Sequence, residues 1–173
     1  MSITHLIPVS EYLNTAYRPD VDYIDGELQE RNLGELDHSD LQFFFASYIN
    51  HRRELWAVQA KPELRVQVRE DRFRVPDICV LSSNAPREQI VRTPPVLCME
   101  ILSPADTIHR MRECDRDFLN MGVREVWLVD PLSRSVILCS GSIMVEQTSG
   151  TLTLEGTPIS IPVGEVFRVL DAS

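Results

Sequence analysis

Two acidic residues interrupt apolar segments of this sequence, and they are its first candidates for chemistry. Asp77 lies within residues 75–81, and Glu100 lies within residues 96–102. A carboxylate inside an apolar strand costs several kcal/mol, on the order of the penalty for a buried charge, unless a partner compensates it. We predict that these two acids lie on neighbouring strands of one small α/β domain and face each other.

Residue types alone leave two explanations open for this pair. Two carboxylates on adjacent strands repel each other unless a cation lies between them or one of them stays protonated. Mg²⁺ prefers such an all-oxygen environment, which favours a metal site. Alternatively, each acid forms an ion pair with a different arginine, such as Arg74 or Arg65.

The composition limits the function classes. A length of 173 residues fits one domain. The formal charge of −9 argues against a large, non-specific nucleic-acid surface. No apolar run approaches the ~20 residues of a membrane span, and the first ten residues do not resemble a signal peptide. We therefore expect a cytoplasmic protein with no membrane partner. Cys79, Cys98 and Cys139 lie in apolar runs and are expected to be buried, reduced thiols.

The elements that must position the acids follow from hydrophobic periodicity. Helices are expected from Ser10, from Asp37 or Ser39 to Arg52, and from Asp106 or Thr107 to Met121, where Gly122 ends the last one. Strands are expected at residues 55–59, 63–68, 73–81, 96–102 and 125–129, with hairpins at Asp25–Gly26 and Ser140–Gly141. The helix that ends at Met121 then crosses over between strands 96–102 and 125–129, which makes them parallel.

Several motifs occur together in a characteristic order. They are residues 23–28, His38, residues 74–78, residues 100–104, residues 122–131 and residues 161–167. In order and spacing they resemble the Uma family of restriction endonucleases within the PD-(D/E)XK nuclease superfamily. The resemblance covers roughly residues 20 to 170 and implies a single nuclease domain over residues 1–173. The implied fold is α/β (α+β), with a restriction-endonuclease-like core, a central mixed sheet flanked by helices, and extra β-hairpins.

The resemblance also implies an activity, a cofactor and a substrate. It implies a DNA endonuclease that depends on Mg²⁺ (or Mn²⁺), with Asp77 and Glu100 as metal ligands and Glu27 as a third carboxylate. Metal-activated water would attack the phosphorus, and the metal would stabilise charge on the phosphate oxygens. His38 would orient a phosphate or a water; alternatively, it is a surface histidine that caps its helix.

The chain departs from the family pattern at the lysine. Leu102 occupies the position two residues after the glutamate, and Cys114 occupies the position of the lysine on the following helix. Arg110, one turn earlier, could bind a phosphate with its guanidinium; alternatively, it forms a solvated ion pair with Glu113 or Asp106. Cys114 is either a reactive thiol or a neutral residue packed in the helix.

Three functions therefore follow from the sequence. The first is a metal-dependent DNA endonuclease that the Cys114 replacement has impaired. The second is a non-catalytic binding or assembly module that keeps the nuclease fold. The third is a structural or regulatory protein in which the acids form internal salt bridges. Edge strands in the hairpin 136–146 and in the tail also predict a homodimer.

Overall fold

Three β-sheets and their flanking helices form a mixed α/β architecture in the computed structural model, which describes residues 6–31 and 34–171. The helices are α1 (Val9–Asn14), α2 (Leu36–His51), α3 (Arg53–Trp56), α4 (Ile108–Met121) and α5 (Val163–Arg168), with a 3₁₀ turn at Val169–Asp171. The strands are β1 (Val21–Ile24), β2 (Glu27–Glu30), β3 (Val58–Pro62), β4 (Val66–Arg69), β5 (Arg72–Arg74), β6 (Ile78–Ser82), β7 (Leu97–Ile101), β8 (Val126–Asp130), β9 (Ser135–Ser140), β10 (Ile143–Gln147), β11 (Thr151–Thr153) and β12 (Ser160–Pro162).

The largest sheet has the strand order β10-β9-β8-β7-β6-β3. Strands β7 and β8 are parallel, and the other neighbours in this sheet are antiparallel. Helix α4 connects the two parallel strands, which confirms the predicted crossover. The side chain of Thr107 accepts a hydrogen bond from the Arg110 N–H at the start of α4, and Gly122 ends the helix with φ +110°.

Helices cover both faces of this sheet. One face packs against α2 and α5 in a core that includes Phe45, Leu97 and Trp127. The other packs against α4 in a core that includes Cys98 and Phe118. Successive strand residues point to opposite faces, so that β7 is apolar along nearly its whole length, as predicted for a central strand. Cys79, Cys98, Cys114 and Cys139 are all free and buried.

The second sheet has the order β2-β1-β5-β4 and packs against α1. Strands β1 and β2 are joined by Asp25 and Gly26, with φ values of 51° and 96°. Two positive φ values in a two-residue hairpin loop are typical of a type I′ turn, in agreement with the Asp-Gly prediction. The third sheet pairs β11 with β12.

Three predicted elements differ from the structure. The strand expected at residues 73–81 is two strands, β5 and β6, in different sheets, because Pro76 lacks the N–H that a continuous ladder needs. The strand expected at 55–59 begins as α3, whose Trp56 packs near the Tyr48 ring of α2, with centroids 6.1 Å apart. The tail, expected to form only short strands, ends in α5 and the 3₁₀ turn.

Two predicted helix caps were also wrong, because extended residues further upstream take the N-cap positions. Pro8 precedes α1 in place of Ser10, and Glu35 precedes α2 in place of Asp37 or Ser39. Over the described parts of the chain, no helix combines the length and apolar character that crossing a membrane requires.

Candidate active site

Asp77 lies where the chain passes from one sheet to the other. Strand β5, which ends at Arg74, belongs to the four-stranded sheet, and β6, which begins at Ile78, belongs to the six-stranded sheet. Strands β6 and β7 pair with Ile78 opposite Met99. One further step along this register brings Asp77 level with Glu100. Asp77, directly before β6, therefore lies beside Glu100 of the neighbouring strand β7, close to the predicted arrangement.

Both carboxylate oxygens of Asp77 are occupied by donors. Oδ1 accepts a hydrogen bond from Nη2 of Arg31 at 2.5 Å. Oδ2 lies 3.2 Å from Nε2 of His38 and accepts the backbone N–H of Ile101 at 2.7 Å. The residue is only 4% exposed, so these contacts supply the compensation that its buried charge requires.

Glu100 is partly exposed and lacks a comparable cation. The salt bridges within 4.0 Å among the described residues do not include it, and its Oε1 accepts a contact of 3.4 Å from Sγ of Cys114. Burial, and then the negative charge of Asp77, hold the pKa of the Glu100 carboxyl well above its usual range. The positive charge of Arg31 opposes this shift without cancelling it.

A small polar cavity joins these side chains. It has a volume of about 40 Å³, which is sufficient for an ion or a few water molecules. Asp77, Glu100, Arg31, His38 and Cys114 all line it, and so does Arg110. The structure therefore brings together four of the five predicted site residues.

His38 contacts Asp77 and does not occupy the helix N-cap position, which belongs to Glu35. The hydrogen bond with Asp77 raises the pKa of the His38 imidazole, and burial opposes this shift. The imidazole therefore carries positive charge to a higher pH than a free histidine does, which strengthens its attraction to Asp77.

Arg110 reaches across from α4 to the end of β2, where its Nη2 donates to the backbone carbonyl of Glu30 at 2.6 Å. Glu113, one of the partners expected for it, instead lies 3.5 Å from Arg72 and 3.9 Å from Arg74. Arg110 is only partly exposed, so that one edge of its guanidinium is fixed beside the cavity.

Glu27 is the predicted site residue that the structure does not bring to the cavity. Its side chain is exposed at the first position of β2. Two further carboxylates line the cavity, Asp106 and Asp22 of β1, and Asp22 is 6% exposed. Burial raises the pKa of Asp22, although Arg74 donates to its Oδ2 at 3.0 Å and the Val75 N–H donates to its Oδ1 at 2.9 Å.

Sequence reasoning missed Asp22 and Arg31. Asp22 carried the same signal as Asp77, since it interrupts the apolar run of β1. Arg31 carried no such signal, because it follows β2 in a polar segment and meets Asp77 only through the tertiary fold. The arginines proposed as partners of the two acids bind other carboxylates: Arg74 pairs with Asp22 and Asp117, and Arg65 pairs with Asp20.

The donor set at the cavity was tested against the divalent cation that the fold family implies. Within the described segments, no three His, Cys, Asp or Glu side chains form a ready-made metal cluster. Mg²⁺ does not require one, because it commonly binds through one or two carboxylates and retains several water molecules. Asp77 and Glu100 supply two hard oxygen ligands, and burial, followed by the charge of Asp77, raises the pKa of Glu100, a shift that a bound cation would oppose. The residues therefore fit a hydrated divalent cation.

Comparisons with known proteins are consistent with this geometry. The family model described as "Uma2: Putative restriction endonuclease" matches residues 9–162. A crystal structure described as a putative nuclease belonging to DUF820, from Anabaena variabilis, superposes with a TM-score of 0.84 at 24% identity, over 95% of this chain and 99% of that one.

A second solved structure, a DrdV–DNA complex, matches 74% of this chain and 10% of that one at 16% identity. Its TM-score of 0.39 is too low to establish a shared fold. No curated protein matches this chain.

Proposed function

Because the chain belongs to the Uma2 family, we propose that it is a Mg²⁺-dependent DNA endonuclease whose activity is limited by the residue at position 114. Asp77 and Glu100 are the proposed metal ligands. DNA is the proposed substrate, and the chemistry is hydrolysis of a phosphodiester bond. This proposal extends the nuclease relationship to a specific site, cofactor and substrate.

One observation carries the proposal. Asp77 and Glu100 come from separate apolar segments, yet they line one polar cavity together with a histidine and three arginines. Clustered acids with a strongly shifted pKa are costly to a fold, and they occur preferentially at functional sites. The cavity also lies on rigid elements, because β7 is the central strand and α4 covers it.

The side chains around the pair have separate roles in this proposal. When bound, a divalent cation would stabilise negative charge on the phosphate oxygens. His38 binds Asp77 and orients its carboxylate. Arg110 lies at the cavity with one edge held by the Glu30 carbonyl, and its remaining N–H groups are suited to a phosphate.

Cys114 is the residue that limits the proposed activity. It contacts Glu100 from α4, at the position where the family resemblance places a lysine. Burial, and then the charge of Glu100, raise the pKa of its thiol well above the usual range, so the residue is a neutral thiol near pH 7. A neutral thiol provides no fixed positive charge for a phosphate, which is why we propose a slow enzyme.

A plasmid-nicking assay tests the proposal. We expect the wild-type chain to nick supercoiled DNA with Mg²⁺ or Mn²⁺ and to lose this activity with EDTA. Asp77→Asn keeps the shape of the side chain, removes its charge and should abolish nicking. Asp20→Asn is the matched control, because Asp20 pairs with Arg65 and does not line the cavity. Equal nicking by wild type and Asp77→Asn would assign the cleavage to another site or to a contaminant.

The alternative function is a non-catalytic module that keeps the fold and the acidic site. The absence of a lysine beside Glu100 and the occupation of Asp77 by Arg31 both favour it. Metal binding to a folded wild-type chain that shows no nicking would identify this alternative.

We further propose a homodimer that forms through β10, the edge strand of the six-stranded sheet. Ile143, Met144 and Val145 are consecutive and exposed, at 61%, 45% and 52%. An edge strand of this kind offers unpaired backbone donors and acceptors together with apolar side chains, and it can pair with a second copy in an antiparallel arrangement.

A further inference from the structure

We propose that Arg31 is a built-in counter-cation of the acidic site, and that a divalent metal ion binds there in competition with it. Arg31 donates to Oδ1 of Asp77, so that metal binding through this oxygen requires the guanidinium to be displaced. This inference rests on the proposed metal site at Asp77 and Glu100, and it assigns a regulatory role to a residue that has no other explanation in that proposal.

The geometry of Arg31 supports this role. Its Nη2 lies 2.5 Å from Oδ1 of Asp77, and its side chain is only 14% exposed. A second nitrogen, Nη1, lies 3.8 Å from Glu63. Burial lowers the pKa of Arg31, but the charges of Asp77 and Glu100 outweigh it, and the net shift is upward. A guanidinium cannot lose its proton in this setting, so its charge is permanent.

The other positive groups at the cavity have different partners. Arg74 is bound to Asp22 and Asp117, at 3.0 Å and 2.7 Å. Arg110 donates to the Glu30 carbonyl. His38 contacts the opposite oxygen of Asp77, and its charge depends on pH. Among the described side chains that line the cavity, Arg31 is therefore the permanent cation placed directly on the acidic pair.

Arg31 is also held in position from the other side of the cavity. The hydrogen bond from Arg110 fixes the carbonyl of Glu30, which immediately precedes Arg31, to helix α4. The two arginines thus form a clasp: Arg110 holds the backbone, and Arg31 reaches from that backbone to Asp77. Loss of the Arg110 contact should loosen Arg31 without changing its charge.

Competition follows from electrostatics. A metal ion and a guanidinium that share one small cavity repel each other, and an oxygen held by Arg31 has less electron density available for the metal. Removal of the positive charge at position 31 should therefore increase affinity for a divalent cation by about tenfold or more, by the magnitude of unit charges at contact distance.

Mn²⁺ binding to the full chain, followed by the electron paramagnetic resonance signal of free Mn²⁺, tests the inference without reference to catalysis. We expect Arg31→Gln to bind Mn²⁺ at least about tenfold more tightly than wild type, and Arg31→Lys to remain near wild type because the charge is kept. Arg134→Gln is the matched control, since it removes one positive charge from an exposed pair with Asp171, and it should leave affinity unchanged.

The possible outcomes separate this inference from the proposed nuclease. Equal or weaker Mn²⁺ binding by Arg31→Gln, or no binding by either protein, overturns the competition. Tighter binding by Arg31→Gln supports it even if the wild type nicks no DNA. Should Arg31→Gln fail to fold, Arg110→Ala decides the matter: a severalfold increase in Mn²⁺ affinity supports competition between the metal ion and the arginines of the cavity, and an unchanged affinity overturns it.

Discussion

Asp77 and Ile101 are joined by a hydrogen bond of 2.7 Å from the backbone N–H of Ile101 to Oδ2 of the aspartate. This bond crosses from the junction between the sheets to the central strand, and its donor directly follows Glu100 in the chain. The backbone itself therefore fixes the Asp77 carboxylate beside Glu100. The remaining donors to the Asp77 carboxylate are the side chains of Arg31 and His38, so that substitutions can change the charge of the site while this backbone contact is kept.

His38 gives the site a pH dependence that can be measured as stability. Its pKa is raised above 6.5 in the folded protein because of the hydrogen bond with Asp77. Its stabilising contribution is therefore complete below pH 6.5 and is lost as the pH rises through the raised value. We expect His38→Gln to reduce the free energy of unfolding more at pH 6 than at pH 9, as measured by urea denaturation. His51→Gln is the control, since His51 is exposed at the end of α2; a parallel loss at both pH values for His38→Gln would contradict the ion pair.

Arg74 is expected to be the arginine most important for stability among those at the cavity. Its side chain is 1% exposed, and it binds Asp22 of β1 and Asp117 of α4, joining the smaller sheet to this helix. Arg74→Met would leave Asp22 buried with no cation, and we expect a loss of about 3–5 kcal/mol in urea denaturation. Arg69→Met is the matched control from the same sheet. Its exposed pairs with Asp25 and Asp71 should contribute far less to stability, because water screens them. Similar losses for the two variants would show that burial does not govern these pairs.

The sequence predicted the strands and the helix that position the site better than it predicted the ion pairs within the site. The apolar run around Glu100, the cap at Thr107 and the stop at Gly122 are local signals, and together they were sufficient to predict β7, α4 and the parallel β8. The contact between Arg31 and Asp77 joins residues 46 positions apart. Such a contact depends on how the smaller sheet packs against the larger one, and no local pattern encodes that packing.

The different positions of Glu27 and Asp22 illustrate the same limit. Both lie on the predicted hairpin, and the family resemblance pointed to Glu27. The structure exposes Glu27 beside the hairpin turn and buries Asp22 next to Arg74 of β5. The apolar neighbours of Asp22 in the sequence were the usable signal, since an acid among buried residues requires a partner.

Asp115 is expected to destabilise the protein at neutral pH. It is 5% exposed on α4, its Oδ1 has no hydrogen-bond partner, and burial raises its pKa to about 6. Between pH 3.8 and about 6 the unfolded chain loses this proton more readily than the folded one, so the free energy of unfolding falls as the pH rises. Asp115→Asn should therefore raise the free energy of unfolding by on the order of 2 kcal/mol at pH 7.5 and have little effect at pH 4.

Urea denaturation at the two pH values measures this effect. Glu155→Gln, on an exposed turn near the C-terminal strands, controls for the loss of one negative charge. A destabilised Asp115→Asn at pH 7.5 would show that the ionised carboxylate is stabilising, contrary to the burial argument.

The edge strand β10 provides a test of the proposed homodimer. Val145→Lys places a charge on this strand, where a partner strand would have to bury it, and it should shift the protein from dimer to monomer in light scattering coupled to size exclusion. Leu132→Lys is the matched control, because Leu132 is 93% exposed but lies outside β10. A monomeric wild type over the whole accessible concentration range would exclude this dimer.

Cys114→Lys tests the proposal that the lysine missing at position 114 limits catalysis. Sγ of Cys114 lies 3.4 Å from Oε1 of Glu100, so that a longer side chain from the same position can bring an ammonium into the cavity beside this carboxylate. The added charge should favour the ionised form of Glu100, balance the acidic pair and contribute to phosphate binding. We expect an increase of about tenfold or more in nicking rate, comparable to the gain from one additional charged contact in a catalytic site.

Cys114→Met separates this charge effect from packing. Both variants enlarge a buried side chain on α4 and carry an overpacking cost of about 1–3 kcal/mol, which thermal unfolding will show. Only the lysine adds a positive charge. Faster nicking by both variants would attribute the gain to a change in the shape of the cavity. A folded Cys114→Lys protein that nicks no faster than wild type would refute the view that the missing lysine limits the enzyme, and Arg31 on Asp77 would then be the remaining explanation within this site.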